Sequence, residues 1–286
     1  MGNLRVLARW SLILGVLSVL AAPARAASGG ARYYVSLGTS LAVGVQPDAR
    51  GMNQPTDDGY ADQLYRLLRL TRPRLQLVKL GCPGETSTTL IAGGLCPYAG
   101  PAVSQLEAAV AFLETHRGAV TLLTLDIGAN DVLPCADVRT GRINQPCVEG
   151  ALTRLARNLP YVLATLREAA GPSVPIVALN YYNPLVAVWL LGPAGQAAAR
   201  ASAAEADRFN ALLEGLYAAH RVPVGDVAHA FHADDFRLIP ARDVPVNVEL
   251  VCQWTWMCAP PPQGPNIHTK TSGAFMIALA LLAALF

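Results

Sequence analysis

From residue 32 onward the chain alternates short apolar, β-branched runs with longer stretches of helical spacing. Strand-like runs fall at 32–37, 75–80, 119–127, 174–180 and 222–227. Helices are predicted over 60–70, 104–116, 148–170 and 197–220, with a closing helix over 275–285. Leu64, Leu67 and Leu68 share one face of the first. Ser104 stands where it can cap the second, with Glu107 at the capping-box position. Pro160 predicts a kink in the third. The run 119–127 is β-branched and largely apolar, as expected of a parallel strand covered on both faces. Such alternation predicts an α/β fold: a parallel sheet of about five strands between two helical layers. In these sheets ligands bind beyond the carboxyl ends of the strands.

The segments at those ends therefore carry the argument for function. Gly38-Thr39-Ser40 follows the first strand, Gly81-Cys82-Pro83-Gly84-Glu85-Thr86 the second, and Gly128-Ala129-Asn130-Asp131 the third. Ser40 opens a turn, where a nucleophile can point into the crevice with a backbone N–H beside it. Taken alone, it reads equally as a helix-capping serine. Its surroundings are not a GxSxG elbow, because Ser36 stands where that elbow needs glycine. Gly84 would let a backbone N–H approach a ligand, or simply make a turn. Asn130 would offer a side-chain donor to an oxyanion, or form a turn. His116 and His220 lie near helix ends and read as structural, whereas His229 and His232 sit in a polar stretch and read as solvated. His268, in a polar loop before the closing helix, is the candidate general base. The convergence of Ser40, Gly84, Asn130 and His268 on one sheet edge outweighs the bland reading of each.

The length of 286 residues suits a leader of 26 residues and a single domain over 27–286. Arg5 and Arg9 precede a short apolar run, and Ala24-Arg25-Ala26 forms a small-x-small site, so export with cleavage after Ala26 is expected. The apolar run at 10–22 and that at 274–286 are both too short to span a bilayer. A secreted monomer without a membrane span is the expectation. A net charge of +2 without any basic block excludes a nucleic-acid face. Six cysteines in an exported chain imply disulfides. They fall into three close pairs, predicted as Cys82–Cys96, Cys135–Cys147 and Cys252–Cys258. No CxxC spacing occurs and histidine is sparse, so neither a metal nor an organic cofactor is expected.

The blocks Tyr34-Val35-Ser36-Leu37-Gly38-Thr39-Ser40-Leu41, Leu80-Gly81-Cys82-Pro83-Gly84-Glu85-Thr86, Asp126-Ile127-Gly128-Ala129-Asn130-Asp131 and Pro265-Asn266-Ile267-His268 resemble those of the SGNH/GDSL hydrolases. The likeness extends from Tyr34 to the last helix and points to the secreted, disulfide-bonded esterase and lipase branch. It implies a flavodoxin-like three-layer α/β/α sandwich, with Ser40 as nucleophile and His268 as base. The N–H groups of Ser40 and Gly84 and the side chain of Asn130 would form the oxyanion hole. Two departures stand out. Thr39 replaces the aspartate of the usual Gly-Asp-Ser, and Pro265 stands where the family often has the third triad member. The expectation is a Ser40–His268 dyad, with the main-chain carbonyl of Pro265 or Asn266 orienting the imidazole. The implied activity is hydrolysis of a small-molecule or lipid ester. Carbohydrate deacetylation and an inert binding module are the alternatives.

Overall fold

The central sheet begins with strand β1, Arg32–Leu37, whose last four residues are all buried. The computed structural model describes residues 30–240 and 242–286; the expected leader, 1–26, lies outside them. Four further strands complete the sheet: β2 (Leu75–Lys79), β3 (Val120–Leu125), β4 (Ile176–Leu179) and β5 (Val224–Gly225). All pair in parallel, in the order β2-β1-β3-β4-β5. This is the flavodoxin-like order, and it places the topological switch between β1 and β3. Both strands are apolar because helices cover both of their faces. Their few polar groups satisfy each other: Tyr34 Oη lies 2.8 Å from Thr124 Oγ1, which lies 3.2 Å from Ser36 Oγ.

One helical layer holds Tyr60–Arg69 packed on Thr271–Ala283; the other holds Gln105–Thr115, Gln145–Ala170 and Pro193–Ala219. Together with the sheet these make the three-layer sandwich, in which Ala31–Phe286 forms one compact unit. Every predicted strand and helix is present, with ends shifted by a few residues. Ser104 caps Glu107 N as expected, at 3.2 Å, but the Glu107 carboxylate turns back to Val103 N at 2.8 Å instead of Ser104 N. Pro160 lies within an uninterrupted helix. The fourth long helix starts at Pro193, ahead of the predicted 197. Proline is tolerated in a first turn, where its missing N–H has no intrahelical partner. Among the elements without a sequence-based counterpart are a 3₁₀ segment, Pro184–Leu191, and two helices, Ser87–Ala92 and Val246–Trp254. The three disulfides join Cys82 to Cys96, Cys135 to Cys147 and Cys252 to Cys258. Among the described residues no helix is long and apolar enough to cross a membrane.

Candidate active site

Where β1 ends, the chain turns sharply through Gly38, whose φ of 133° is accessible to glycine and few others. A Cβ there would overlap the carboxylate of Asp126. That carboxylate, just past β3, holds the next residue. Thr39 donates to its Oδ2 from both N, at 3.1 Å, and Oγ1, at 2.5 Å, while Tyr60 Oη donates to Oδ1 at 2.8 Å. Burial pushes the Asp126 carboxyl up to about 7, against the lowering effect of those hydrogen bonds. Thr39 then caps the short helix Ser40–Val43, its hydroxyl accepting from Leu41 N. Ser40 is thereby the first helical residue. A backbone N–H at that position has no intrahelical acceptor and remains available to a ligand.

The loop after β2 brings Gly84 into the left-handed region, at φ 83°, with open space where a Cβ would lie. Glycine serves the backbone conformation there rather than a close contact. Its neighbour Glu85 is buried, and the Glu85 main-chain carbonyl accepts from Asn130 Nδ2 at 3.0 Å. Asn130 belongs to the short helix Ala129–Val132 at the end of β3. Its Nδ2 carries two hydrogens, so one stays free for a substrate oxygen.

His268 does not lie in a loop, as the sequence suggested, but on a short strand, Asn266–Thr269, paired antiparallel with Thr255–Trp256. Tyr182 anchors this strand by donating to Ile267 O at 2.5 Å. The Tyr182 ring in turn stacks on Phe231, which meets Trp254 edge-on. The expected main-chain carbonyl of Pro265 or Asn266 is not what orients the imidazole. The side-chain Oδ1 of Asn266 does so, 2.7 Å from His268 Nδ1. The same Oδ1 accepts from His268 N at 3.0 Å, and Asn266 Nδ2 donates to Asn53 Oδ1 at 2.7 Å. This Asx turn folds the side-chain oxygen back onto the ring. With the amide so oriented, Nδ1 carries the proton and Nε2 is the basic nitrogen. Burial lowers the His268 pKa to about 4, so the ring is neutral near pH 7.

Ser40, Asn130 and His268 line one cavity of about 120 Å³. Apolar side chains make most of its wall, among them Leu133, Ile143, Val148, Leu185 and Phe209. Ser40 and His268 each retain only 9 % exposure, so a substrate reaches them through this cavity. Gly84 stands outside the lining, one residue before the carbonyl that holds Asn130. His116 stacks on Phe112, and His229 and His232 are exposed; none of these three joins the cavity. No group of acidic, histidine or cysteine side chains able to hold a metal occurs among the described residues. A serine, a neutral imidazole with its basic nitrogen free, and an amide donor around an apolar hollow are the groups that acyl transfer needs.

A profile of the GDSL-like Lipase/Acylhydrolase family matches residues 36–243. The chain belongs to this family. Ester hydrolysis is the chemistry of the family, and the central sheet and flanking helices are its fold. The solved structures similar to this GDSL-like hydrolase span nearly its whole length. A phospholipase A1 from Streptomyces albidoflavus is 21% identical, with 89% of this chain and 100% of that one covered and a TM-score of 0.57. An extracellular lipase from Streptomyces rimosus is 19% identical, with 89% and 100% covered and a TM-score of 0.56. An acetylxylan esterase from Geobacillus stearothermophilus is 16% identical, with 89% and 94% covered and a TM-score of 0.55. At these identities the likeness is one of fold. No curated protein sequence matches this GDSL-like chain.

Proposed function

We propose that this GDSL-like hydrolase is a secreted, monomeric serine esterase that cleaves acyl or lipid esters through an acyl-Ser40 intermediate. The observation that carries the reading is the shared cavity of Ser40, Asn130 and His268, with its apolar wall. In the proposed reaction His268 Nε2 takes the proton of Ser40 Oγ as that oxygen attacks the ester carbonyl carbon. The N–H groups of Ser40 and Gly84 and Asn130 Nδ2 donate to the oxygen that becomes negative. The carbonyl re-forms, the ester C–O bond breaks, and the imidazolium returns its proton to the departing alcohol oxygen. Water, deprotonated by the same imidazole, then releases the acid and restores Ser40. Asn266 Oδ1 holds the ring through Nδ1–H in both halves, in the position a triad gives to a carboxylate.

The cavity size bears on the substrate. The cavity of about 120 Å³ takes much more than one methyl group. An acetyl methyl would leave most of it empty, so an acyl chain longer than acetyl fits better, and the carbohydrate deacetylase reading is disfavoured. Export rests on the leader read at 1–26 and is supported by the three disulfides, which persist in oxidising compartments. A panel of p-nitrophenyl esters from acetate to dodecanoate tests the proposal. An ester with an acyl chain longer than acetyl should be the best substrate, and Ser40→Ala should abolish turnover. Full activity in Ser40→Ala removes the mechanism; an acetate optimum removes the acyl-chain assignment.

A further inference from the structure

Gln105 is the first residue of the helix Gln105–Thr115 and is completely buried. A buried amide is costly unless its donors and acceptor find partners. Here they find two strand ends at once. Oε1 accepts from Gly38 N at 2.6 Å, and Nε2 donates to Gly38 O at 2.9 Å. Nε2 also donates to Glu85 Oε2 at 2.9 Å. Gly38 has left the sheet ladder, and its polar groups are met by this side chain together with Cys82 N, 3.0 Å from Gly38 O. It is the residue whose left-handed turn aims Thr39 and Ser40. Glu85, in turn, follows Gly84 and holds Asn130 through its main-chain oxygen.

We propose that Gln105 is a positioning residue that locks the nucleophile turn to the oxyanion loop. This rests on the acyl-Ser40 reading above and deepens it. Gln105 does not line the cavity and acts only through Gly38 and Glu85. Its one amide group ties the segment that supplies the Ser40 N–H to the segment that supplies the Gly84 N–H and anchors Asn130. All three donors of the proposed oxyanion hole therefore share one buried tether. Such donors act only when held to within about 0.5 Å of their working places. A displacement near 1 Å costs about 10²-fold in rate. Because the donors act on the developing oxyanion and not on the bound ester, the loss falls on kcat.

Three variants test this with p-nitrophenyl butanoate: Gln105→Leu, Gln105→Glu, and Gln105→Glu combined with Glu85→Gln. Gln105→Leu removes all three bonds, and kcat should fall by about 10–10²-fold with KM unchanged. Gln105→Glu sets two carboxyl groups against each other and should cost at least as much. The double variant returns an amide–carboxyl pair with the donor now at 85 and keeps an acceptor for Gly38 N, while Gly38 O retains only its bond from Cys82 N. It should recover kcat to within about tenfold of the parent. If Gln105→Leu does not fold, the single and double glutamate variants decide the matter. Unchanged kcat in Gln105→Glu, equal losses in kcat and affinity, or a double variant no better than Gln105→Glu overturns the proposal. Parent protein without esterase activity, or an active Ser40→Ala, removes the underlying reading instead.

Discussion

Replacing Asn266 with aspartate would put a carboxylate where a neutral amide oxygen now holds His268. The Oδ1 to Nδ1 distance is 2.7 Å, so the centres of the two charges would lie about 4 Å apart. At an effective dielectric constant of about 20 their attraction is about 4 kcal/mol, equal to roughly 3 pKa units. Carboxylates beside a cation move pKa values by about 1–3 units in practice. The parent imidazole sits at about 4 because burial disfavours its charged form. The carboxylate favours that form, so the acid limb of kcat/KM should move from about 4 to between about 5 and 7. Asn53 is exposed and can turn its own amide round to donate to the new oxygen. The assay is initial-rate hydrolysis of p-nitrophenyl butanoate from pH 4 to 9, read at the isosbestic wavelength of nitrophenol. At pH 5 Asn266→Asp should be less active than the parent; at pH 8 it should at least equal it, because the imidazolium of the transition state gains a counter-charge. An acid limb within about 0.3 units of the parent's would refute the contact between residue 266 and the ring, or the role of His268 as base.

The remaining predictions concern the groups around this pair. Asn130→Ala should lower kcat by about 10²–10³-fold with little change in KM, the usual loss for one oxyanion donor; a change in KM alone would make Asn130 a structural residue. Asp126→Asn should gain stability relative to the parent as pH rises from 4 to 7, measured by urea unfolding at pH 4, 5.5 and 7. Burial raises the Asp126 pKa from 3.8 to about 7, so folding favours its protonated form. That contribution is complete below about 4 and is lost as pH rises toward 7, a difference of about 4 kcal/mol. His268 has the opposite sign. Its pKa is depressed from 6.5 to about 4, so its contribution is present above 6.5 and is lost as pH falls. Comparing parent with Asp126→Asn cancels the histidine effect. Equal slopes in the two proteins would contradict the burial argument for Asp126.

The sheet was legible because its central strands announce themselves: Val120–Leu125 is apolar apart from two threonines, as expected where helices cover both faces. The site followed from the sheet, since Ser40 and Asn130 stand one turn past neighbouring strands and meet at the switch between β1 and β3. What was hidden depends on contacts remote in sequence. Nothing in the sequence around Gln105 singles it out, and only the fold brings it to Gly38, 67 positions away. Asp126 was visible as part of a block but not as the partner of Thr39, 87 positions distant. The departure at 39, where threonine replaces the family's aspartate, has its physical sequel in that contact. A buried carboxylate still sits beside the nucleophile turn, supplied from the end of β3. The Asn266 side chain was missed for a local reason. The expected partner was a main-chain carbonyl, whereas an asparagine two residues before the histidine can fold back in an Asx turn.

The disulfides bear on the same site. None lies within the sheet, whose strands are held by their ladders and by the apolar core. Cys82–Cys96 closes the loop that carries Gly84 and Glu85. Cys135–Cys147 closes the loop that lends Ala136 and Ile143 to the cavity wall. Cys252–Cys258 ties the helix Val246–Trp254 to the segment after Thr255–Trp256, the strand paired with that of His268. With sequence separations of 14, 12 and 6, each should stabilise the fold by about 2–3 kcal/mol, mainly by restricting the unfolded chain. Segments beyond strand ends bury less apolar surface than the strands, so they have less to offset the entropy of being ordered. Chemistry at this edge needs donors held to within fractions of an ångström. The cross-links therefore lie where the fold alone holds the chain least and the reaction needs it held most.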